Sequence, residues 1–357
     1  MRRFHFYTLL LWLFAVNPCF AAKTKGIFYP ANDSNIQYFG RVDFSNPLKP
    51  KFWASGVYVK IKFSGSFCEL QINDEMIYGS VNNYLEVQVD QQLPYRTQTT
   101  GKDNKIVLAK NLPDGEHTIV VCKNTEAENG YLELVGFVCE KLLAPPAKQK
   151  RRLEFIGDSI TCGAASDESE IPCDKGKWHD QHNAYLAYGP TTARALAAQW
   201  QLSSVSGIGL MHSCCEKTIL MPQVFDKINM AKDSLLWEFN RYQPDLVSVC
   251  LGQNDGIQDS VKFTAAYVKF VKTLRGHYPM AKIVLLSSPM ASPGLNKTLQ
   301  KYISAVIAYL STQGEENTGY YFFSKSYNDG CGGHPSVNNH QAIAAELTAY
   351  LKKTMKW

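Results

Sequence analysis

Four short segments carry residue types that together could support nucleophilic attack by a serine. Phe155-Ile156-Gly157-Asp158-Ser159-Ile160-Thr161 puts a serine directly after an apolar run, at a turn that glycine makes possible. A serine there is presented to solvent beside the free N–H groups that begin a helix, so its hydroxyl is exposed and an adjacent anion can be stabilised. Taken alone, the segment reads better as a helix cap made by Asp158 and Ser159. Ser206-Gly207-Ile208-Gly209 and Leu251-Gly252-Gln253-Asn254-Asp255 also follow segments that read as strands. Near the C-terminus, Asp329-Gly330-Cys331-Gly332-Gly333-His334-Pro335-Ser336 places a histidine in a glycine-rich loop. A serine nucleophile needs a base to take its proton and donors to hold an oxyanion. Each segment is weak by itself; the ordered set supplies both.

Such loops converge only if strand ends lie side by side. After Arg152, the segments 153–156, 203–206, 246–251 and 283–286 read as strands, and 184–199, 263–274, 299–310 and 341–352 as helices. Regular alternation of this kind predicts a parallel sheet covered by helices on both faces, with ligands at the carboxyl ends of its strands. From residue 23 to 143 the pattern differs. Short runs such as 56–63, 84–89 and 117–122 alternate apolar and polar residues, and Pro113-Asp114-Gly115 marks a hairpin. Period-two alternation rich in β-branched and aromatic residues predicts an antiparallel β-sandwich of jelly-roll type. Ala144-Pro145-Pro146-Ala147-Lys148-Gln149-Lys150 breaks both patterns and reads as a linker. The expected division is therefore a signal at 1–22, a sandwich at 23–143, a linker at 144–150 and an α/β domain at 151–357.

Composition narrows the class. Hydrophobic residues make up 45% and charged residues 19% of the 357, which excludes a disordered, collagenous or coiled-coil chain. The net charge of +5 includes Arg2 and Arg3, and the remaining basic residues are spread, so no nucleic-acid partner is expected. Arg2 and Arg3 precede an apolar run from Tyr7 to Val16, with Ala21 and Ala22 at a cleavage point, the pattern of a secretory signal. That run is too short to cross a bilayer, no later segment is long enough, and Cys19 lacks the small-residue context of a lipid anchor. The mature protein is expected to be periplasmic or secreted, without stable membrane insertion.

Ten cysteines less Cys19 leave nine, an odd number where disulfides can form. Cys162 and Cys173 flank a polar loop and are the expected bridge; Cys68, Cys122 and Cys139 fall in strands, where buried thiols are as natural. No Cys-x-x-Cys occurs, and His179 and His182 lack further ligands at helical spacing, so no metal or other cofactor is expected.

At these residues the sequence resembles the SGNH or GDSL hydrolases. Gly157-Asp158-Ser159-Ile160 is similar to their first block, Gly207 to the second, Gly252-Gln253-Asn254-Asp255 to the third, and His334-Pro335 to the last. Leu186-Ala187-Tyr188-Gly189, Met221-Pro222 and Gln243-Pro244-Asp245-Leu246-Val247 narrow the resemblance to carbohydrate esterase family 2, which joins a jelly-roll to an SGNH domain. The resemblance implies removal of O-acetyl groups from polysaccharides such as xylan or glucomannan. It makes Ser159 the nucleophile and His334 the base, with the N–H groups of Ser159 and Gly207 and the Asn254 amide as the oxyanion hole. Gly209 is the substitute if the second block is shifted, and Asp158 and Asp255 are expected to brace loops. Most members carry an aspartate three residues before the histidine; here that position is Cys331. A backbone carbonyl is then expected to orient His334, with Asp329 as the rival third member of a triad. Trp178, Tyr185 and Trp237 are candidates for stacking on sugar, each with a core or rim role as the alternative. His212 could line the cleft, and His340 reads as a surface or capping residue. Other SGNH ester hydrolases, acting on lipid, thioester or peptidoglycan, and a non-catalytic sugar-binding protein remain as alternatives.

Overall fold

The computed structural model describes Met1, residues 26–232 and residues 234–357; the expected signal segment, Cys19 included, lies outside them apart from Met1. The N-terminal part is one antiparallel sheet of nine strands: β1 (Ile27–Pro30), β2 (Gln37–Phe39), β3 (Lys51–Phe52), β4 (Tyr58–Asp74), β5 (Tyr84–Val89), β6 (Tyr95–Gln98), β7 (Asp103–Ala109), β8 (Glu116–Lys123) and β9 (Leu132–Leu143). The 17-residue β4 organises it. Its first half pairs with β8, its second half with β7, and β9 lines the other edge across a register break at Ser64/Cys68. The sheet thereby folds onto itself and forms both walls of the sandwich. Alternate residues of β4 (Val59, Ile61, Phe63, Leu70, Ile72) meet Val87, Ile119, Leu134 and Phe137 in the core, as the period-two pattern requires.

Residues 144–149 form no regular element. The chain then builds β10 (Arg151–Gly157), β11 (Ala198–Ser204), the hairpin β12 (Lys227–Asn229) and β13 (Ser234–Leu236), β14 (Leu246–Cys250), β15 (Lys282–Leu286) and β16 (Thr318–Tyr321). Its helices are α1 (Ser159–Cys162), α2 (Tyr188–Ala195), α3 (Met221–Val224), α4 (Ser260–His277), α5 (Pro293–Thr312) and α6 (Val337–Met355). Five parallel strands pair in the order β11-β10-β14-β15-β16. The order reverses beside β10, which opens a crevice at the carboxyl ends of β10 and β14. Gly157 is in register with Ser204 on one side and Cys250 on the other, so three loops leave the sheet at one level. These are the loops that carry Ser159, Gly207 and Asn254.

Several boundaries differ from expectation, most of all around the second strand. The helix expected to run to 199 stops at Ala195, Ala197 turns left-handed at φ +49°, and β11 starts at Ala198 rather than 203. Gln199 and Gln201 hide the strand in the sequence, yet all seven of its residues are buried because the N-terminal sheet covers that edge.

The two parts share a core. Phe39, Tyr58 and Cys122 pack with Leu153, Phe155, Trp200 and Leu202. Tyr58 stacks on Trp200 with centroids 3.9 Å apart, and the indole N–H donates to the Gly56 carbonyl at 2.9 Å. Arg41 meets Glu154 at 3.1 Å, both side chains fully buried, and Ser203 and Gln201 also donate to that carboxylate. Such a pair specifies how the parts dock more than it stabilises them. Among the described residues no helix is long and apolar enough to cross a membrane.

Candidate active site

The nucleophile candidate sits where β10 gives way to α1. Gly157 cannot carry a side chain, because a Cβ would lie 2.1 Å from the Thr161 hydroxyl. Asp158 caps α1, its Oδ1 accepting the Ile160 N–H at 3.0 Å, so the capping interpretation holds as well. Ser159 is left at the mouth of the turn, its Oγ 2.9 Å from His334 Nε2. His334 follows a 3₁₀ turn, Cys331–Gly333, that the Ala165 carbonyl holds by accepting the Cys331 N–H at 3.1 Å.

Burial holds the His334 imidazole below its ordinary pKa, and nearby His182 pushes the same way, while the carbonyls of Gly332 and Cys331 oppose them. The ring is therefore neutral at pH 7 and able to accept a proton. Its Nδ1 is buried without a hydrogen-bond partner among the described residues, so those two carbonyls act on it by charge, outside bonding geometry. Asp329 is spent elsewhere: it is exposed, and its Oδ1 accepts the Ser336 hydroxyl at 2.6 Å at the start of α6.

Gly207 adopts φ +76°, the left-handed region where a side chain is strained, and a Cβ would lie 3.0 Å from the Lys217 chain and 3.1 Å from Cys214 Sγ. Its carbonyl accepts the Cys214 N–H at 2.9 Å, and no described residue accepts its own N–H. Gly209 is not equivalent, since its N–H donates to Ser213 Oγ at 3.0 Å. Asn254 Nδ2 donates to the Ile208 carbonyl at 2.9 Å and to Asp158 Oδ2 at 3.1 Å. Burial raises the Asp158 carboxyl to about 7 despite the Ile160 bond. Asp255 braces the neighbouring loop by accepting the N–H groups of Leu210, Met211 and His212 at 2.9, 2.6 and 2.9 Å. Ser159, Gly207, Asn254 and His334 all line one open cleft of ≈740 Å³, walled by Trp178, Lys217 and Met290 among others. A larger groove of ≈1010 Å³ between α4 and α5 has no histidine, cysteine or carboxylate in its lining and holds no comparable chemistry.

The family model for the carbohydrate esterase 2 N-terminal domain matches residues 38–146, and that of the GDSL-like lipase/acylhydrolase family matches residues 155–343. A solved family two carbohydrate esterase from Clostridium thermocellum, in complex with cellohexaose, is 30% identical with a TM-score of 0.82, covering 90% of this chain and 99% of that one. The chain belongs to carbohydrate esterase family 2. An acetylxylan esterase/glucomannan deacetylase of Cellvibrio japonicus is 29% identical across 92% of this esterase and 91% of its own length. The cellulase/esterase CelE of Acetivibrio thermocellus is 32% identical over 91% of the esterase, which spans 40% of that longer protein.

Several expectations for the esterase need correction. Tyr185 is 2% exposed, donates to Gln88 Oε1 at 2.6 Å and stacks under Arg194, so it packs the two parts together instead of facing sugar. Trp237 is 6% exposed in a small cluster with Ile228 and Tyr242, away from the cleft. Cys173 pairs with Cys331, not Cys162. Cys162 points from α1 into the interior, where its Sγ meets Ser204 Oγ at 3.2 Å. Adjacent Cys214 and Cys215 form the second bridge, and five buried cysteines are free among the described residues.

Trp178 does reach the site: it is half exposed, with its ring 5.2 Å from that of His334 and 5.5 Å from that of His182. His340 is fully buried, not at the surface, and its Nδ1 accepts the Tyr188 N–H at 3.2 Å. His212 is exposed, with Nδ1 3.4 Å from the Asn254 carbonyl, and does not line the cleft. Glu168, Cys173 and Cys331 cluster, but the two sulfurs are spent in the disulfide. The sequence reading missed Glu128, a cleft residue from the N-terminal part that pairs with Lys217, and Glu126 beside it. Two glutamates in Lys123-Asn124-Thr125-Glu126-Ala127-Glu128 look like a solvated turn until the other half of the chain is laid against them.

Proposed function

We propose that this esterase is an exported serine O-acetylesterase that deacetylates xylan, glucomannan or a related glycan through a covalent acyl-enzyme. In this reading residues 1–22 are a signal, 23–143 the jelly-roll and 151–357 the catalytic domain. The observation that carries it is the 2.9 Å contact between Ser159 Oγ and the neutral His334 ring inside an open cleft. Ser159 Oγ bonds the acetyl carbon while its proton passes to His334 Nε2. The oxyanion takes the unoccupied N–H of Gly207 and that of Ser159, and Asn254 turns its longer bond from Asp158 toward it. Collapse breaks the bond to the sugar oxygen, which receives the proton from His334. Water then attacks the acetyl-serine along the same route and releases acetate. No step calls for a metal or other cofactor. Trp178, half exposed beside His334, offers a face for the sugar.

The test is acetate release from acetylated xylan and glucomannan, acetylated peptidoglycan and long-chain acyl esters, with Ser159→Ala alongside and a serine-directed phosphonate. The expected result is release from the plant glycans, unchanged in EDTA, none from Ser159→Ala, and a phosphonate adduct on Ser159. Preference for peptidoglycan or long acyl chains would overturn the substrate, and an adduct on another serine the mechanism.

A further inference from the structure

We propose that Glu126, a residue of the N-terminal domain, is a positioning residue of the esterase site: its carboxylate sets the Ser206-Gly207 turn on one side and the His182-Trp178 wall against His334 on the other. The inference rests on the reading of Gly207 as an oxyanion donor and of His334 as the base.

The carboxylate has two sets of partners, and both belong to the catalytic part. Oε2 accepts the Ser206 N–H at 2.8 Å, and Oε1 accepts the Ser206 hydroxyl. Oε1 also lies 3.1 Å from His182 Nε2. His182 Nδ1 accepts the Ala165 N–H at 3.2 Å, so the ring proton resides on Nε2 and points at Glu126. The peptide plane that carries the Gly207 N–H follows directly on Ser206. With Ser206 held by Glu126 and the Gly207 carbonyl held by Cys214 N–H at 2.9 Å, that plane is fixed at both ends and its N–H is left for a ligand. On the other side His182 packs edge-on to Trp178, and Trp178 edge-on to His334.

Glu126 is itself anchored. Lys123 Nζ, fully buried, donates to the carbonyls of Thr125 and Glu126 at 2.8 and 2.9 Å, and the Thr125 hydroxyl donates to Asn83 Oδ1 at 2.5 Å. Burial alone would raise the Glu126 carboxyl, but the bonds from His182 and Ser206 win and hold it at about 2. It stays an anion wherever the enzyme works, with its bonds committed. It does not line the cleft, unlike Glu128 two residues on. Glu126 therefore acts through the groups it holds rather than on substrate, and the catalytic half lacks part of its own scaffold without the N-terminal half.

The test uses the full mature chain and 4-nitrophenyl acetate. Glu126→Gln keeps the shape but replaces one acceptor oxygen with a donor that opposes Ser206 N–H or His182. Its kcat should fall on the order of 10- to 100-fold, less than outright loss of an oxyanion donor, with KM within about threefold. Phosphonylation of Ser159 should slow by a similar factor, since that reaction uses the same oxyanion hole. Ser206→Ala, which keeps the main-chain bond, should lose less. Wild-type kcat in Glu126→Gln, or a rise in KM alone, overturns the proposal. Should Glu126→Gln not fold, Ser206→Ala and His182→Gln decide: lowered kcat at unchanged KM supports it, and wild-type kcat in both overturns it. Activity surviving in Ser159→Ala would instead bring down the underlying reading of the site.

Discussion

Asn254 is bonded on both amide hydrogens before any substrate arrives, and this shapes what its loss should do. Asn254→Ala removes a donor that strengthens only as charge develops, and it strips the buried Asp158 Oδ2 of its partner. We expect kcat to fall by about 10²–10³ with KM little changed, measured on an aryl acetate; an unchanged kcat would remove Asn254 from the oxyanion hole. Asp329, bonded to Ser336, should be dispensable: Asp329→Asn should stay within about tenfold of wild-type kcat, whereas loss of a true triad aspartate costs ~10⁴. His334→Ala should be nearly inactive in the same assay. Because burial lowers the His334 pKa, the acid limb of kcat/KM should be centred below pH 6.5. An acid limb centred above 6.5 would contradict this. The proposed pair of Ser159 and His334 was legible in the sequence because each sits in a local turn pattern that the proposed chemistry needs. Glu126 was not, since its meaning comes from Ser206, 80 residues away.

At the scale of elements, the site is a set of turns held by unlike means. The β10, β11 and β14 loops start level because the strands are in register, which is why alternation of strand and helix was enough to anticipate their convergence. The Trp178 turn and the His334 turn have no such sheet beneath them and are joined by Cys173–Cys331. Sequence distance gave no hint of that pairing, because Cys162 lies nearer to Cys173 along the chain but faces inward from α1. Replacing both Cys173 and Cys331 by serine should cost about 2–5 kcal/mol in denaturant unfolding, the usual range for a bond closing a long loop. It should also lower kcat as the His334 turn loosens, with the Ser159→Ala background silent as before. Unaltered stability and kcat would show that the turn holds itself.

At the scale of the molecule, the proline-rich stretch between the halves reads as a flexible joint, yet the halves share one core through Tyr58, Trp200 and Phe155. Composition shifts mark where a pattern changes; they carry no information on which surfaces then meet. An interface this apolar, with Arg41 and Glu154 buried in it, makes independent motion unfavourable. Calorimetry of the mature chain should give one transition with equal calorimetric and van't Hoff enthalpies, and residues 151–357 alone should lack that transition because β11 is uncovered. Two separated transitions would refute a common core. The long disulfide adds an order in time. During synthesis Cys68, Cys122, Cys139 and Cys162 appear before Cys173, then Cys214, Cys215 and Cys250, and Cys331 only when little more than α6 is still to come. If the chain is exported as proposed, threading residue by residue into an oxidising space offers Cys173 seven other cysteines, from Cys68 to Cys250, before the right partner exists. Its maturation therefore depends on how readily early mistakes are undone by thiol exchange, which makes the redox equipment of the producing cell, as much as the sequence, a determinant of how many molecules hold His334 in place.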